Sequence, residues 1–275
     1  NFSNLLTLTT HVPPTRYEGW AKNLGPQYVR GICEGYPKLD DGHMWLTYSM
    51  NKEDIWVCKV PLPITGKELQ PINEDFRDAN FTKWNIYSPK WAKVNACKDT
   101  NSLILRDRDP YDKAVAERVF IESLALTVET EIIPKTIGDA RLYIDLTDKT
   151  GSVPVRIMFS NDSNIYVKSN GVYNNVGKFD VEKHYTINIK ADCILNVFSV
   201  GIVCEGKEII DRKYKFNTSV YSLERFVLQT KDKINVYDLE SNGKDGSLND
   251  LPDSGKRNKE TKYYVTMLKT MDHIT

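Results

Sequence analysis

The segment Ala140-Arg-Leu-Tyr-Ile-Asp-Leu-Thr147 decides the fold class of this 275-residue chain. Its apolar residues alternate with polar ones, and side chains that alternate in this way lie on opposite faces of a β-strand. A period of two with one polar face is typical of a half-buried strand in an antiparallel sheet. The inward set is Leu142, Ile144 and Leu146, and the outward set is Arg141, Tyr143 and Asp145.

Segment 153–160 alternates similarly, and 184–190, 222–229 and 263–268 read as further strands. Turn-forming residues separate them, as in Asp148-Lys-Thr-Gly151. Short alternating strands bounded by turns predict an all-β protein, either a sandwich or a barrel. Only the stretch 112–120 has a pattern that predicts helix, and that for a single turn.

The composition excludes several classes of function. Hydrophobic residues make up 40% of the chain, which is enough for a buried core. Lys and Arg together number 37, as do Asp and Glu, so the chain has no net charge with which to attract nucleic acid or an anionic membrane. No apolar run approaches the roughly 20 residues of a membrane helix. We therefore expect neither nucleic acid nor a membrane as a partner.

Cysteine and histidine spacing gives no metal or redox motif. The five cysteines contain no Cys-x-x-Cys pair, and the four histidines have no metal-ligand spacing. The favoured interpretation is that the cysteines are free thiols, and a Cys193–Cys204 disulfide is the alternative. No cofactor is predicted.

The first third of the chain has a different predicted organisation. Residues 44–48 and 54–60 predict a hairpin with its turn at Asn51-Lys52, and residues 25–35 predict one more strand. Three strands in about 40 residues have the size of most of one propeller blade. A single blade cannot bury both of its faces, so it needs neighbouring blades. The proline-rich segment 60–66 reads as a linker.

Two groups of segments carry a family resemblance. Asn23-Leu-Gly-Pro-Gln-Tyr-Val-Arg-Gly-Ile32 and Trp45-Leu-Thr-Tyr-Ser-Met-Asn-Lys-Glu-Asp-Ile-Trp-Val57 resemble the C-terminal end of bacterial sialidase-like (BNR-repeat) propeller proteins. Trp84-Asn-Ile-Tyr-Ser-Pro-Lys-Trp91 and Arg106-Asp-Arg-Asp-Pro-Tyr-Asp112 resemble the β-sandwich appended to those propellers. That sandwich is similar to concanavalin-like and laminin-G-like lectin domains.

The resemblance implies a domain organisation and a function. Residues 1–64 are expected to be the last part of a propeller blade, 65–73 a linker and 74–275 a concanavalin-like jelly-roll sandwich. The chain is then the non-catalytic C-terminal portion of a secreted, periplasmic or cell-surface protein that degrades polysaccharides. Its partners are a carbohydrate, which the sandwich binds or helps to support, and the remaining blades upstream. The chain departs from the family because it contains no Ser-x-Asp-x-Gly-x-Thr-Trp box.

Tyr28, Arg30 and Glu34 are the catalytic candidates in the front segment. Sialidase-type sites hold a substrate carboxylate with arginines and use a Tyr/Glu nucleophile pair. Tyr28 and Arg30 are two apart on a predicted strand and are expected to share a face. This strand is therefore one candidate wall of a sugar-acid site, and the alternative is an ordinary ion pair beside a packing tyrosine.

Trp84, Tyr87 and Trp91, with Lys83 and Lys90 beside them, are the carbohydrate-binding candidates. Flat aromatic rings stack on the apolar face of a sugar ring, and the alternative is that they seal the linker against the core. The acidic loop 106–112 offers oxygen ligands of the kind that calcium takes, so a structural calcium ion is one alternative there. The favoured interpretation of that loop is a salt-bridged turn, and no other metal site is predicted.

Two other classes of function stay open at this stage. A complete glycoside hydrolase or polysaccharide lyase would carry two carboxylates on the jelly roll, and Glu129 and Glu131 share one strand face. Neither the Glu-x-x-x-Glu nor the Glu-x-Asp-x-x-Glu pattern of jelly-roll glucanases is present, and a solvated strand face explains the pair more simply. The third class is an interaction module with no sugar ligand.

Overall fold

Strands account for the regular secondary structure of the chain. The computed structural model describes Leu8 and residues 25–35, 39–61, 71–79, 83–110, 112–231 and 255–272. Within these residues there is no helix, and every strand pair described is antiparallel. The chain divides into two compact units, one of residues 1–66 and 234–254 and the other of residues 67–233 and 255–275.

The first unit contains a three-stranded antiparallel sheet in the order β1-β2-β3. Asn51 and Lys52 both have positive φ angles, 56° and 58°, which suits the tight turn of a two-stranded hairpin. The Asn51 side-chain oxygen accepts a hydrogen bond from the Gly25 amide at 2.8 Å and so ties β1 to the turn. The predicted front strands are thus confirmed, with these bounds: β1 (Pro26–Gly35), β2 (Leu39–Met50) and β3 (Asp54–Pro61).

The described residues of the second unit form fifteen strands. They are β4 (Asn73–Glu74), β5 (Trp84–Tyr87), β6 (Ala92–Cys97), β7 (Ser102–Asp107), β8 (Val115–Ser123), β9 (Ala125–Thr136), β10 (Arg141–Thr147), β11 (Val155–Phe159), β12 (Asn164–Ser169), β13 (Val172–Lys178), β14 (Tyr185–Asp192), β15 (Val197–Cys204), β16 (Lys207–Lys215), β17 (Leu223–Lys231) and β18 (Thr261–Asp272).

These strands form two sheets that enclose one core. The seven-stranded sheet has the order β13-β12-β11-β10-β17-β8-β5. The eight-stranded sheet has the order β16-β15-β14-β9-β18-β7-β6, and β4 pairs with β18. Non-consecutive neighbours such as β10 and β17 show crossovers between the sheets, as in a jelly-roll sandwich. The predicted all-β sandwich is therefore confirmed.

The core of the sandwich follows the alternation read from the sequence. The inward residues of β10 and β11 are fully buried, as are Val128 and Ile132 of β9 in the opposite sheet. Phe159 packs against the rings of Phe179 and Tyr185 with centroid distances of 5.0 and 5.7 Å. The core-facing residues of β10 and β11, all at 0% exposure, are Leu142, Ile144, Leu146, Val155, Ile157 and Phe159.

The helical turn predicted for residues 112–120 is wrong. Residues 115–123 form strand β8, which pairs with β17 on one side and β5 on the other. Pairing with two neighbouring strands overrides the weak local pattern, because neighbouring strands satisfy the backbone hydrogen bonds along β8. The last predicted strand, 263–268, is confirmed within β18, which lies between β9 and β7.

The described cysteines are free. Cys58, Cys97, Cys193 and Cys204 form no disulfide, which confirms the free-thiol interpretation for these four and excludes the Cys193–Cys204 bridge. The side chain of Cys33 lies outside the described residues. Among the residues that are described, no helix has the length and hydropathy needed to cross a membrane.

Candidate functional site

The front-segment candidates lie on β1, where the strand is irregular. Tyr28 has a φ of 53°, and the pairing with β2 shifts between Gln27 and Arg30. Regular alternation stops at such a bulge, so the spacing used to place Tyr28 and Arg30 on one face does not hold here. Tyr28 is 68% exposed, and the side chain of Glu34 lies outside the described residues. The catalytic role of these three residues stays a prediction.

Trp84 belongs to the core rather than to an exposed platform. Its ring is 6% exposed and lies 5.9 Å from the ring of Phe76 and 6.5 Å from that of Phe226. Its indole nitrogen donates a hydrogen bond of 2.6 Å to Glu74. The physical reason is the strand period, since residues three apart on a strand point to opposite faces. Trp84 therefore cannot share a sugar-binding surface with Tyr87.

Tyr87 and Trp91 lie on different parts of the sandwich. Tyr87 is the last residue of β5 in the seven-stranded sheet, is half-buried, and donates a hydrogen bond of 2.6 Å to Asp112. Trp91 precedes β6 of the eight-stranded sheet, and the Lys90 ammonium lies 4.4 Å from its ring centroid. Their predicted contact with a sugar remains untested, and Tyr87 is the one that joins a larger polar surface.

That surface is the face of the seven-stranded sheet opposite to the core. The registers of six neighbouring strands align two parallel rows of side chains across it. Six strands at a spacing of about 4.8 Å give each row a length of about 24 Å. We call the first row the aromatic row; it consists of Tyr87, Val115, Gln229, Tyr143, Met158 and Tyr166. We call the second the charged row; it consists of Asn85, Glu117, Val227, Asp145, Arg156 and Lys168.

Asp145 and Arg156 form the centre of the charged row. The two nitrogens of the Arg156 guanidinium donate to the two carboxylate oxygens of Asp145, both at 2.7 Å. The side chain of Asp145 is 1% exposed and that of Arg156 21%. Burial by itself would lower the pKa of Arg156, but the Asp145 carboxylate outweighs it and holds the pKa above its usual range. The two hydrogen bonds therefore fix the Arg156 guanidinium on the Asp145 carboxylate, and we call this pair the clamp.

A hydrogen-bond chain links this clamp to the aromatic row. Gln229 donates to Asp145 at 2.8 Å through its amide nitrogen and accepts a hydrogen bond of 3.0 Å from Lys113 through its amide oxygen. The Arg156 guanidinium also lies 4.8 Å from the ring centroid of Tyr143. Burial, reinforced by the charge of Lys231, lowers the pKa of Lys113 to about 8. The groups in the middle of both rows are thus oriented by one another.

The second buried ion pair lies at the other end of the charged row. Arg225 donates to Glu117 at 3.1 Å and to Glu224 at 3.4 Å, and Asn85 donates to Glu117 at 3.0 Å. The side chains of Arg225 and Glu117 are 1% and 4% exposed. Two buried charges of opposite sign stabilise each other only when they are paired and hydrogen-bonded, as they are here. This end of the row is rigid scaffold rather than accessible surface.

The acidic loop 106–112 is salt-bridged, as its favoured interpretation predicted, but through a distant segment. Arg106 pairs with Glu260 at 3.0 Å, and Arg108 donates to the backbone carbonyl of Arg257 at 2.7 Å. Among the described residues, these two arginines form no ion pair with Asp107 or Asp112. Burial raises the pKa of Asp107 to about 7 and that of Asp112 to about 6.

Within the described part of the chain, no group of three or more His, Cys, Asp or Glu side chains is placed to hold a metal ion. A structural calcium ion in the loop 106–112 stays a prediction. Residues 65–70 of the predicted linker lie outside the described residues.

Glu129 and Glu131 lie on β9, on the face of the eight-stranded sheet that points away from the core. Both are half-buried, while Val128, Thr130 and Ile132 between and beside them are buried. The predicted shared face is therefore confirmed. Glu131 is also bonded to the Nδ1 atom of His184 at 3.1 Å and to the hydroxyl of Thr266 at 2.5 Å. These contacts anchor one of the two carboxylates on the sheet surface.

Sequence reasoning assigned no binding role to the central residues of the two rows. The outward position of Tyr143 and Asp145 follows from the alternation in 140–147, so the signal was present for β10. The partners on other strands, Gln229 and Glu117, become visible only when the strand order is known. The alternation of apolar and polar residues shows which side chains share a face of a strand, but it does not show which strands are neighbours in the sheet.

Comparisons with known proteins agree with this architecture. The family model described as "Sialidase-like, CBM domain" matches residues 84–244, which is more than half of the chain. A solved sialidase structure is 28% identical, with a TM-score of 0.77 over 95% of this chain. The chain spans 24% of that sialidase. No curated protein matches the chain.

A Crh5 transglycosylase in complex with NAG has the same sandwich fold. It is 12% identical, with a TM-score of 0.50, and the match covers 74% of this chain and 84% of that protein. At this identity the likeness shows the fold alone.

Proposed function

Because the chain belongs to the sialidase-like CBM family, in which CBM denotes a carbohydrate-binding module, we propose that it binds a glycan through the aromatic and charged rows of the seven-stranded sheet. The observation that carries this proposal is the alignment of both rows across six strands. Tyrosine rings supply apolar faces for sugar rings, and adjacent amide and charged groups supply hydrogen bonds to hydroxyls.

The rows are preorganised for such a ligand. Tyr87 is fixed by Asp112, Gln229 by Asp145 and Lys113, and Arg156 by Asp145. Side chains that are already held in place lose little conformational entropy when a ligand binds. The accessible contacts are the half-buried Tyr87, Gln229, Lys231 and Tyr166. The fully buried members of the rows orient these side chains.

We propose that this portion of the protein is not catalytic. Asp145 and Glu117 are two strands apart, roughly 10 Å, which is near the separation that inverting glycosidases use. Each, however, accepts hydrogen bonds from a guanidinium group. A catalytic acid must give a proton to the glycosidic oxygen and its partner must activate water, and both carboxylates are already engaged. The pairing thus supports a binding role.

The first unit is proposed to be the last segment of a sialidase-like propeller, with the other blades upstream. Ile55 and Val57 are 81% and 55% exposed on β3, which is an edge strand of its sheet. An exposed apolar edge strand pairs readily with a neighbouring strand. The likeness to a much longer sialidase supports this organisation, and it also supports a secreted, periplasmic or cell-surface location and a concanavalin-like description of the sandwich.

A glycan array followed by calorimetry tests the proposal. The wild-type chain should bind at least one class of glycan, and Tyr87→Ala or Gln229→Ala should weaken that binding about tenfold or more. Tyr87→Phe keeps the ring and should bind nearly as wild type does. The matched control is Tyr221→Ala, since Tyr221 is 81% exposed and lies outside both rows.

A blank array would contradict the proposal and favour an interaction module without a sugar ligand. Hydrolysis of sialosides or cleavage of uronic-acid polymers by this chain at enzymatic rates would contradict the non-catalytic part.

A further inference from the structure

A cleft of about 480 Å³ opens between the edge strands β13 and β16, one from each sheet. It lies within the second unit, and its volume falls in the range of roughly 300–1,000 Å³ that is usual for small-ligand sites. The residues that line it are Ser169, Val172, Asn174, Val197, Arg212, Lys213, Tyr214 and Lys215.

The charged side chains that line the cleft are all positive. Arg212, Lys213 and Lys215 line it, and no acidic residue does so among the residues that the structure describes. Within that same part of the chain, no carboxylate forms an ion pair with any of these three side chains. The Arg212 guanidinium lies 5.8 Å from the ring centroid of Tyr214. The three cations alternate along β16 and flank the cleft from both faces of the strand, so together they attract an anion.

Tyr214 adds an unsatisfied donor to the same cleft. The residue is 7% exposed, and its ring stacks on Phe198 with a centroid distance of 5.5 Å. Its hydroxyl is buried and has no hydrogen-bond partner among the residues that the structure describes. Burial raises the pKa of Tyr214, so the hydroxyl keeps its proton at neutral pH. A buried hydroxyl without a partner costs free energy, and a ligand that accepts its hydrogen bond removes this cost.

The walls of the cleft are fixed before any ligand arrives. The Ser169 hydroxyl donates to the carbonyl of Lys215 and accepts from the amide of the same residue, both at 3.1 Å. Asn217 donates to the carbonyl of Lys168 at 3.3 Å and accepts from the Gly171 amide at 3.1 Å. These bonds join the end of β16 to the β12–β13 turn, so binding requires no large rearrangement.

We propose that this cleft is a second subsite that binds an acidic group on a glycan, either a carboxylate or a sulfate ester. The inference rests on the proposed carbohydrate-binding function and extends it by naming the chemical class of the ligand. Arg212 and the two lysines attract the anion, and the Tyr214 hydroxyl donates a hydrogen bond to it. A guanidinium meets a planar carboxylate or a sulfate oxygen with paired N–H groups, which gives the cleft its selectivity over neutral sugars.

The test is calorimetry on the full chain with three galactose-based probes: a galacturonic acid oligomer, a galactose sulfate and a neutral galactose oligomer. At least one acidic probe should bind about tenfold more tightly than the neutral one, and the preference should fall as salt rises. Lys215→Ala and Arg212→Ala should each reduce the preference about threefold to tenfold. Tyr214→Phe keeps the packing and should reduce acidic-probe binding about threefold.

Lys207→Gln is the matched control, because it removes one positive charge from the same strand outside the cleft and should leave the preference unchanged. Equal binding of acidic and neutral probes, or an acidic preference that survives Arg212→Ala and Lys215→Ala together, would overturn the inference. Loss of neutral-glycan binding in Tyr87→Ala, with no acidic preference in wild type, would leave the proposed function standing alone. If acidic binding needs Lys215 while binding of no glycan responds to Tyr87→Ala, the cleft would stand as a binding site and the proposed binding at the two rows would be wrong.

Discussion

Two groups of buried carboxylates in the sandwich differ in what surrounds them. Asp145 and Glu117, on the outer face of the seven-stranded sheet, each accept hydrogen bonds from an arginine. Asp107, at the end of β7, and Asp112, in the loop after it, have no arginine partner among the residues that the structure describes, since Arg106 and Arg108 bond to residues 257–260. Each carboxylate of the first group is paired with a guanidinium, while burial raises the pKa of Asp107 to about 7 and that of Asp112 to about 6.

The difference follows from what each group has to do. Asp145 and Arg156 position the side chains of Gln229 and Tyr143, so their own side chains must stay in one orientation. Pairing the two groups with each other fixes that orientation. In the loop, backbone amides supply part of the compensation, as where the Asp109 amide donates to Asp107 at 2.7 Å. Amides orient a carboxylate but do not neutralise it. The raised pKa values therefore occur in the loop, where no guanidinium pairs with Asp107 or Asp112 among the described residues.

The largest expected effect comes from breaking the pair that Arg225 makes with Glu117. Arg225→Leu removes the guanidinium that pairs with the buried Glu117 carboxylate, so we expect the free energy of unfolding to fall by about 3–5 kcal/mol. Urea unfolding followed by circular dichroism measures this change. Combining Arg225→Leu with Glu117→Gln should recover part of the loss, because the double variant no longer buries an unpaired charge at position 117.

An exposed ion pair provides the control. Lys183 and Glu205 pair at 2.7 Å with side chains 45% and 51% exposed, and Lys183→Gln should change the free energy of unfolding by less than about 1 kcal/mol. A loss from Arg225→Leu no larger than this would show that the buried pairing does not hold the charged row in place.

The second prediction concerns how the stability of the protein changes with pH because of the buried Asp107. The pKa of Asp107 is raised in the folded state, so its contribution to stability is complete below the unfolded pKa near 4 and is lost as pH rises through about 7. Asp107→Asn should therefore match wild type at pH 4 and be more stable than wild type at pH 8, by on the order of 3 kcal/mol. Thermal unfolding across this pH range measures the difference. Asp75→Asn, at a side chain 61% exposed, should show no such trend.

A difference between Asp107→Asn and wild type that is the same at pH 4 and pH 8 would be inconsistent with a raised pKa at this position.

The sequence predicts one strand of the site well and its partners poorly. The alternation in 140–147 gives both faces of β10, and the short connection to β11 places Arg156 opposite Asp145. Glu117 and Arg225, in contrast, are 108 residues apart, and they meet because β8 pairs with β17. No local pattern contains that information, because the strand order depends on crossovers between the two sheets.

The Trp84 platform shows a different kind of error. Composition marks Trp84, Tyr87 and Trp91 as one aromatic cluster, but the strand period separates the first two onto opposite faces. Applied to β5, the period predicts that Trp84 and Tyr87 cannot both be buried or both be exposed on one surface. The sequence of β5 alone is enough to show that Trp84 and Tyr87 lie on opposite faces. Which of the two faces the core becomes clear only in the assembled sheet, where Trp84 packs against Phe226 and Tyr87 lies opposite Val115.

We expect the smallest effect on stability from Glu129 and Glu131. These two carboxylates lie on the solvent-facing side of the eight-stranded sheet. Their carboxylates are half-buried, and the bonds of Glu131 to His184 and Thr266 are surface contacts of modest energy. The double variant Glu129→Gln, Glu131→Gln should shift the free energy of unfolding by less than about 1 kcal/mol and leave glycan binding unchanged. Calorimetric titration beside Tyr87→Ala measures the second point. If the wild-type chain turned over a polysaccharide and this double variant did not, the catalytic centre would lie on the eight-stranded sheet, and the fixed rows opposite would be scaffold alone.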